Sequence, residues 1–382
     1  MRILDRYILR NFLVPFLYCF LGFIAIWLVF DFAEHSADFF STKSAHHLVV
    51  QYYKSQLPQI IVLVLPVALL LSLLFSLSKM SRSNEIISML AAGQSLVRIT
   101  FPFLFIGLAV AAGSFVMNRK LAPQADAAKK RILYQISTGF EVPPYSLSQL
   151  FRNRADNRTW FVQVMQLKKS ELVGVHISQQ DDEGNIIRKY YATYAVYEPL
   201  AKTWNFISGK TVDFDAEGNQ TGEKVWPGLK IQGWSETPWR IMSATMEAQN
   251  LSLADLRQYL RINSDFPDVQ LAPYRTHFHY RWAVPATCIV VIFIAVPLGI
   301  VYSRRGVLAG VSGSLFIFFG MIFLDKLFLA LGKGGRIPAP IAAWGPNAIF
   351  AIVGFFLLYM RSTNRDMSDL NPWKFFHRTT HT

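Results

Sequence analysis

Five groups of residues have types and spacings that could do chemistry. Asp325 and Lys326 adjoin inside the apolar run LFIFFGMIFLDKLFLALG. At mid-membrane two such charges would cost about 5–7 kcal/mol on an insertion scale, against roughly 0.5 gained per Leu or Phe. They sit near one end of the run, where snorkelling lowers that cost. Asp31 and Glu34 stand at the end of another run. Both pairs read either as the polar lining of a substrate cavity or as interfacial anchors. HFHYR, His277 to Arg281, has His-x-His spacing. A metal site needs more ligands than this, so the stretch reads as a lead into the apolar run that follows. GKT at Gly209–Thr211 lacks the glycine a phosphate loop requires five residues earlier, where Trp204 stands, and it lies in a strand pattern. No Gly-x-Ser-x-Gly, His-Glu-x-x-His or Cys-x-x-Cys occurs. The chain offers no catalytic constellation and is not read as an enzyme. Energy for any work must come from a partner or an ion gradient.

The fifth group is KMSRSNEIISMLAAGQSLVRI, Lys79 to Ile99, between two long apolar runs. A short turn would suffice to join two spans, yet this connection has the marks of a small helix. Ser83 can cap it, Glu85 complements the dipole of its first turn, and Gly93 can close it. Ile86, Met89 and Leu90 share a face. Arg82, Glu85 and Met89 fall at i, i+3 and i+7. Two readings stand: a helix lying on lipid headgroups, or one docking on a partner.

These residues need elements to hold them. Of 382 residues, 52% are hydrophobic and 16% charged, against about 25% charged in a soluble domain. Six runs of about 20 residues, near 12–33, 58–78, 97–118, 282–302, 308–331 and 341–360, are long enough to cross a bilayer. The net charge of +13 could suggest nucleic acid, but Lys and Arg gather at the ends of apolar runs, and no basic reading helix or zinc-finger spacing occurs. Arg2, Arg6, Arg10, Lys79, Arg82, Arg98, Arg304, Arg305, Arg361 and Arg365 all fall on one side, which is therefore expected to be cytoplasmic. Arg119, Lys120, Lys129, Lys130 and Arg131 fall on the other side, leading into a long domain where the rule is weak. Cys19 and Cys288 both lie in apolar runs, which argues against a disulfide framework. The apolar run after Arg10 is too long for a cleavable signal.

The expected organisation is a first membrane half over 1–135, a β-rich insert over 136–272, a second half over 273–362 and a cytoplasmic tail over 363–382. In the insert, WFVQVMQL, LVGVHISQ, IIRKYYATYAVYEP and TWNFISGKTVDF read as strands. DDEGN, EPLAK and DAEGN supply turn chemistry between them. An antiparallel sandwich or roll is expected. NLSLADLRQYLRIN then reads as an amphipathic helix with Leu253, Leu256 and Leu260 on one face.

Three spans, a β-rich insert and three spans resembles the LptF/LptG permease family, the membrane subunits of the ABC transporter that extracts lipopolysaccharide. The resemblance covers nearly the whole chain. It rests on LDRYILRNFL, SRSNEIISMLAAGQS, LSLADLRQYL, VPLGIVYSRRG and GGRIPAPIAAWGPN, the second and fifth being the most specific. LDRYI is slightly closer to the LptG member. The resemblance implies a membrane α + β fold: six transmembrane helices, 3+3, with an inserted periplasmic β-jelly roll. It implies a bacterial inner-membrane location, with both termini cytoplasmic. It also implies that residues 82–93, with Arg82, Glu85, Met89 and Gly93, form a coupling helix in a groove of a cytoplasmic ATPase dimer. ATP and Mg would belong to that ATPase, with no cofactor in this chain. Further implied partners are a second, homologous permease subunit, lipopolysaccharide, and periplasmic jelly-roll bridge proteins including a single-span membrane partner. A lateral cavity between spans one and five is implied, and Asp31, Glu34, Asp325 and Lys326 are its candidate lining. Some family members carry basic residues at the outer end of span one; this chain has VFDFAEHSADFF there, with Lys43 the nearest lysine. The rival readings are an ion-coupled secondary transporter, which should show inverted repeats and broken helices, and a non-transporting scaffold with an exoplasmic sandwich.

Overall fold

The computed structural model describes residues 3–41, 45–138, 145–166, 171–243, 246–300 and 306–363. The chain divides into two compact units. One holds Met1–Ser137, Ser252–Ala254 and Ala272–Thr382; the other holds Thr138–Leu251 and Asp255–Leu271.

The first unit is helical. Helix α1 (Ile3–Glu34) is followed by the short α2 (Ser36–Ser41), then α3 (Ala45–Arg82), α4 (Glu85–Ala91) and α5 (Leu96–Thr138). Among the described residues six helices are long and apolar enough to cross a membrane, and each expected run overlaps one of them, although the run expected at 282–302 extends past Gly299, where its helix ends. Helices α3 and α5 continue well past their apolar windows. Residues 119–138 of α5 stay helical because Ala, Lys, Arg, Gln and Leu are good helix formers. The bundle core is built around one large apolar cluster, with smaller ones around Tyr52 and around Ile60 and Val64. The large cluster includes Ile8 and Phe12 of α1, Leu69, Leu73 and Leu77 of α3, Ile86 of α4, and Ile99 and Phe103 of α5.

The second unit is a six-stranded antiparallel sheet. Its strands are β1 (Tyr145–Asn153), β2 (Arg158–Gln166), β3 (Glu171–Gln180), β4 (Ile186–Glu198), β5 (Thr203–Phe214) and β6 (Gln220–Gln232). They pair in chain order. This sequential meander differs from the Greek keys of a jelly roll. The sheet nevertheless curls upon itself. In a flat sheet β2 and β5 would stand about 14 Å apart, yet the rings of Trp160 and Trp204 are 5.1 Å apart. Phe206 and Trp234 join them in the core. The pentapeptides 181–185 and 215–219 build the same turn twice. Asp181 and Asp215 each accept the backbone N–H of the Asn four residues on, with Gly184 and Gly218 at positive φ. Strands β1 and β6 escaped the sequence reading. Pro227 interrupts the pattern of β6, and its place on an edge strand explains why it is tolerated.

One feature runs across all six strands. Val162, Val175, Ala192 and Trp226 share a row and are buried; Met165, Leu172, Ala195 and Phe206 share another and are also buried. In β2, β3 and β4 the two rows are three residues apart, a spacing that puts side chains on opposite faces of a regular strand. Each strand therefore shows two consecutive residues outward at the same level. Pairing is interrupted there without loss of register, and Ser148, Gly174 and Ser208, in alternate strands, have positive φ. The result is a crease across the sheet.

After the sheet come α6 (Pro238–Ser243), α7 (Leu253–Ile262), α8 (Asp268–Gly299), α9 (Gly306–Lys333) and α10 (Ala339–Ser362). Leu253, Leu256 and Tyr259 of α7 are buried, so the expected apolar face gains a tyrosine. Helix α8 is central in the bundle, with 61% of its apolar window buried, as in α3. Asn347 of α10 donates to the Ala283 carbonyl of α8, and Arg361 donates to the Ile300 carbonyl at the end of α8.

Candidate functional site

Helix α4 is held at one end of the bundle by three neighbours. Asn84, at φ 59°, turns the chain between α3 and α4, and its side chain makes no capping bond. The expected cap, Ser83, is used differently. Its hydroxyl contacts the carbonyls of Lys79 and Met80, and it donates to Glu85 Oε1 at 2.8 Å. It therefore finishes α3 and orients Glu85 instead of capping α4. Tyr7 of α1 donates to the other oxygen, Oε2, at 3.0 Å. Gly93 closes α4 at φ +80°: its N–H reaches Leu90 O, and the Gln94 N–H reaches Met89 O. This is the Schellman arrangement, which a left-handed residue makes possible.

Ile86 is buried, and Met89 and Leu90 pack partly on the bundle core. Met89 therefore does not share an outward face with Arg82, as its i+7 spacing suggested. Arg82 ends α3 and is exposed. Ile87, Ser88 and Ala91 are exposed and form the outward surface of α4. Beside it, both carboxylate oxygens of Asp5 accept from Arg98 Nη2, at 2.9 and 3.0 Å, which ties α1 to the start of α5.

A second ionic contact ties α1 at its far end. Asp31 is 5% exposed. Its Oδ1 accepts from the Tyr52 hydroxyl at 3.0 Å and from Lys129 Nζ at 3.4 Å, while His35 lies 3.7 Å away. Phe39, Ile132 and Ile136 close around Tyr52. Asp31 thus faces into the bundle within this chain. Lys129 is one of the basic residues that ran against the charge rule, and Asp31 is its partner. Glu34 is exposed. Lys43 lies outside the described residues.

The third cluster joins α8 and α9. Tyr280 donates to Asp325 at 2.7 Å, and Lys326 Nζ reaches the Tyr280 oxygen at 3.4 Å. Asp325 and Lys326 are 27% and 62% exposed. HFHYR is part of α8 itself. His277 is buried, and Arg281 exchanges hydrogen bonds with Asn118 of α5. Among the described residues no three of His, Cys, Asp and Glu gather as a metal site. The pairings of Tyr7, Asp5, Tyr52, Lys129 and Tyr280 are not legible in the sequence, because all of them depend on contacts between distant segments.

A family model described as lipopolysaccharide export system permease LptF/LptG matches residues 6–360. The chain belongs to the LptF/LptG family. The match runs from α1 to the end of α10 and takes in α4 and the sheet; one description covers both LptF and LptG. No curated protein matches the chain. As an LptF/LptG permease the chain is a multi-pass membrane subunit of lipopolysaccharide export, a transmembrane component of an ABC transport system and not itself the catalytic one. The contacts around Glu85, Asp31 and Asp325 are therefore contacts of a permease.

Proposed function

We propose that this permease couples lipopolysaccharide extraction to ATP hydrolysis on a partner. Helix α4 carries the reading. It is a short helix with a closed C-terminus, pinned through Glu85 to α1 and through Ile86 to the core, with Ile87, Ser88 and Ala91 turned outward. A rigid knob with an exposed apolar edge suits a groove in a partner better than a loose loop does, because little order is lost on docking. The partner is a cytoplasmic ATPase dimer that holds ATP and Mg. ATP binding favours one arrangement of the permease over another, and α4 transmits the difference.

A second observation supports pairing with a homologous permease. Only 6% of the apolar window of α1 and 17% of that of α9 are buried within the chain. Leu17, Leu21, Val29, Phe316 and Phe323 are exposed on these helices. Two bare helices suit the walls of a lateral cavity completed by the second subunit. Lys326 and Glu34, both exposed, are its candidate rim, with Asp325 held by Tyr280 beside them. From there the lipid passes to the sheet, then to periplasmic bridge proteins that include a single-span membrane partner. The protein resides in the bacterial inner membrane with both termini in the cytoplasm.

Glu85→Ala tests the coupling. The loss of hydrogen bonds to a charged group is worth about 1.5–3 kcal/mol, less where exposed. In proteoliposomes containing the assembled transporter, the variant is expected to assemble but to lose most lipid-stimulated ATPase activity. Wild-type stimulation would reject the role given to α4.

A further inference from the structure

The outer face of the sheet carries a groove that coupling and pairing leave unused. It follows the crease and has a volume of about 780 Å³, within the usual range of ligand sites. Small residues of the crease, Gly174 and Ser208, leave it open, with Gln163 and Thr193 on the same row. Gly174 leaves no room for a Cβ: one would stand 2.5 Å from Gln163 Oε1. One wall is the row of His176, Tyr191 and Lys210. The rings of His176 and Tyr191 meet edge to face at 5.0 Å, and Lys210 Nζ lies 5.8 Å from the Tyr191 ring centre. A second hollow, of about 280 Å³, shares His176 and Tyr191 and adds Phe161 and Lys189. An aromatic ridge therefore separates two hollows, each with one lysine.

We infer that this groove binds an anionic saccharide, the sugar portion of the exported glycolipid. The inference rests on the export reading above. A sugar ring has apolar C–H faces that stack on aromatic rings and a rim of hydroxyls that pairs with amides and hydroxyls. Both are present, as ring edges and faces at the ridge and as Gln163, Thr193 and Ser208 along the floor. An acyl chain needs a continuous apolar lining, which those polar residues interrupt. A peptide strand would add at β1 or β6, the sheet edges, and not across its face. The two lysines supply the charge preference. Lys210 shares Glu223 at 3.2 Å, whereas no carboxylate stands within ion-pair distance of Lys189 among the described residues.

The test uses the full-length permease in detergent. The probe is the acyl-free oligosaccharide released from lipopolysaccharide by mild acid, followed by saturation-transfer NMR and by tryptophan fluorescence. Saturable binding is expected. Tyr191→Ala should weaken it about two- to tenfold, the scale of aromatic stacking. Tyr191→Phe should keep it, and Leu200→Ser, in the β4–β5 turn, should leave it unchanged. Lys189→Gln with Lys210→Gln should flatten its salt dependence. No saturable binding, equal binding by Tyr191→Ala, or binding of the intact glycolipid alone would overturn the site. ATPase stimulation is read on the same preparation, so a silent groove in a coupled transporter removes the saccharide site and leaves the export reading in place.

Discussion

Glu236 is the most enclosed charge in the β unit. It is fully buried, and it accepts from Arg158 Nε at 2.8 Å and Asn153 Nδ2 at 2.8 Å, while its backbone carbonyl takes the Trp204 indole N–H. Arg158 also lies over the Trp234 ring at 4.6 Å. Removing one partner of a buried pair costs about 3–5 kcal/mol when the other is left uncompensated, and less here because Arg158 Nη2 keeps Asp156 at 2.6 Å. Glu236→Gln is therefore expected to lower the unfolding midpoint of the β unit by several degrees, read by tryptophan fluorescence in the full-length protein. Glu236→Gln with Arg158→Met should recover part of the loss. Next to this pair, partial burial pushes the Asp156 carboxyl up, but hydrogen bonds from Ser235 and Asn153 and the charges of Arg158 and Arg240 outweigh it and hold its pKa below 3.8. A depressed carboxyl adds stability that is fully present above its unfolded pKa and is lost as pH falls through the folded value. The β unit should thus lose stability as pH drops from about 4 downward, and Asp156→Asn should make the acid limb shallower. An unchanged acid limb in that variant would remove Asp156 from the account.

At the scale of elements, two glycines set geometry that no other residue supplies. Gly93 has open space around it, so Gly93→Ala strains only the backbone, by about 1–2 kcal/mol. It should fray the end of α4 and reduce ATPase stimulation without unfolding the bundle. At Gly209 a Cβ would stand 2.1 Å from the Tyr191 carbonyl and 2.3 Å from the Trp226 ring. Gly209→Ala should therefore destabilise the sheet by about 1–3 kcal/mol, seen as a lower melting midpoint; no change would mean that the Tyr191 backbone and the Trp226 ring both yield. The elements themselves were largely legible. The six apolar runs follow from length and hydropathy, and β5 has the ends its sequence predicts because Thr203–Phe214 is strand-forming between two turns. What escaped depends on registry across the chain. Asn84 replaces Ser83 at the start of α4 because Ser83 finds carbonyls in α3 and the Glu85 carboxylate. Met89 turns inward because α4 packs on the core. The crease is invisible in any one strand, since it is a row shared by six.

For the helical bundle as a whole, the informative contrast is between the ends of α1 and its middle. Its buried residues are Asp5, Ile8, Phe12 and Asp31, and about 39 Å of helix separates the two aspartates. Both pair with α5. Asp31→Asn should free the outer end alone, giving a longer or broader spin-label distance between residues 30 and 134, while Asp5→Asn should leave that distance unchanged. Identical distance distributions for Asp31→Asn and wild type would rule out a clasp at Asp31. The sheet has another kind of economy. Every strand pairs with its successor, so hairpins can form one by one as the chain is synthesised, before α8 exists. Glu236 arrives only after β6, and its bonds to Asn153 and Arg158 reach back 83 and 78 residues. The bonds to Glu236, like the packing of Trp234 on Trp160, thus form only after β6 has been made. During synthesis the β unit passes through a stage in which all six strands are laid down and Arg158 has only its near neighbour Asp156, 2.6 Å away in the finished fold, to pair with.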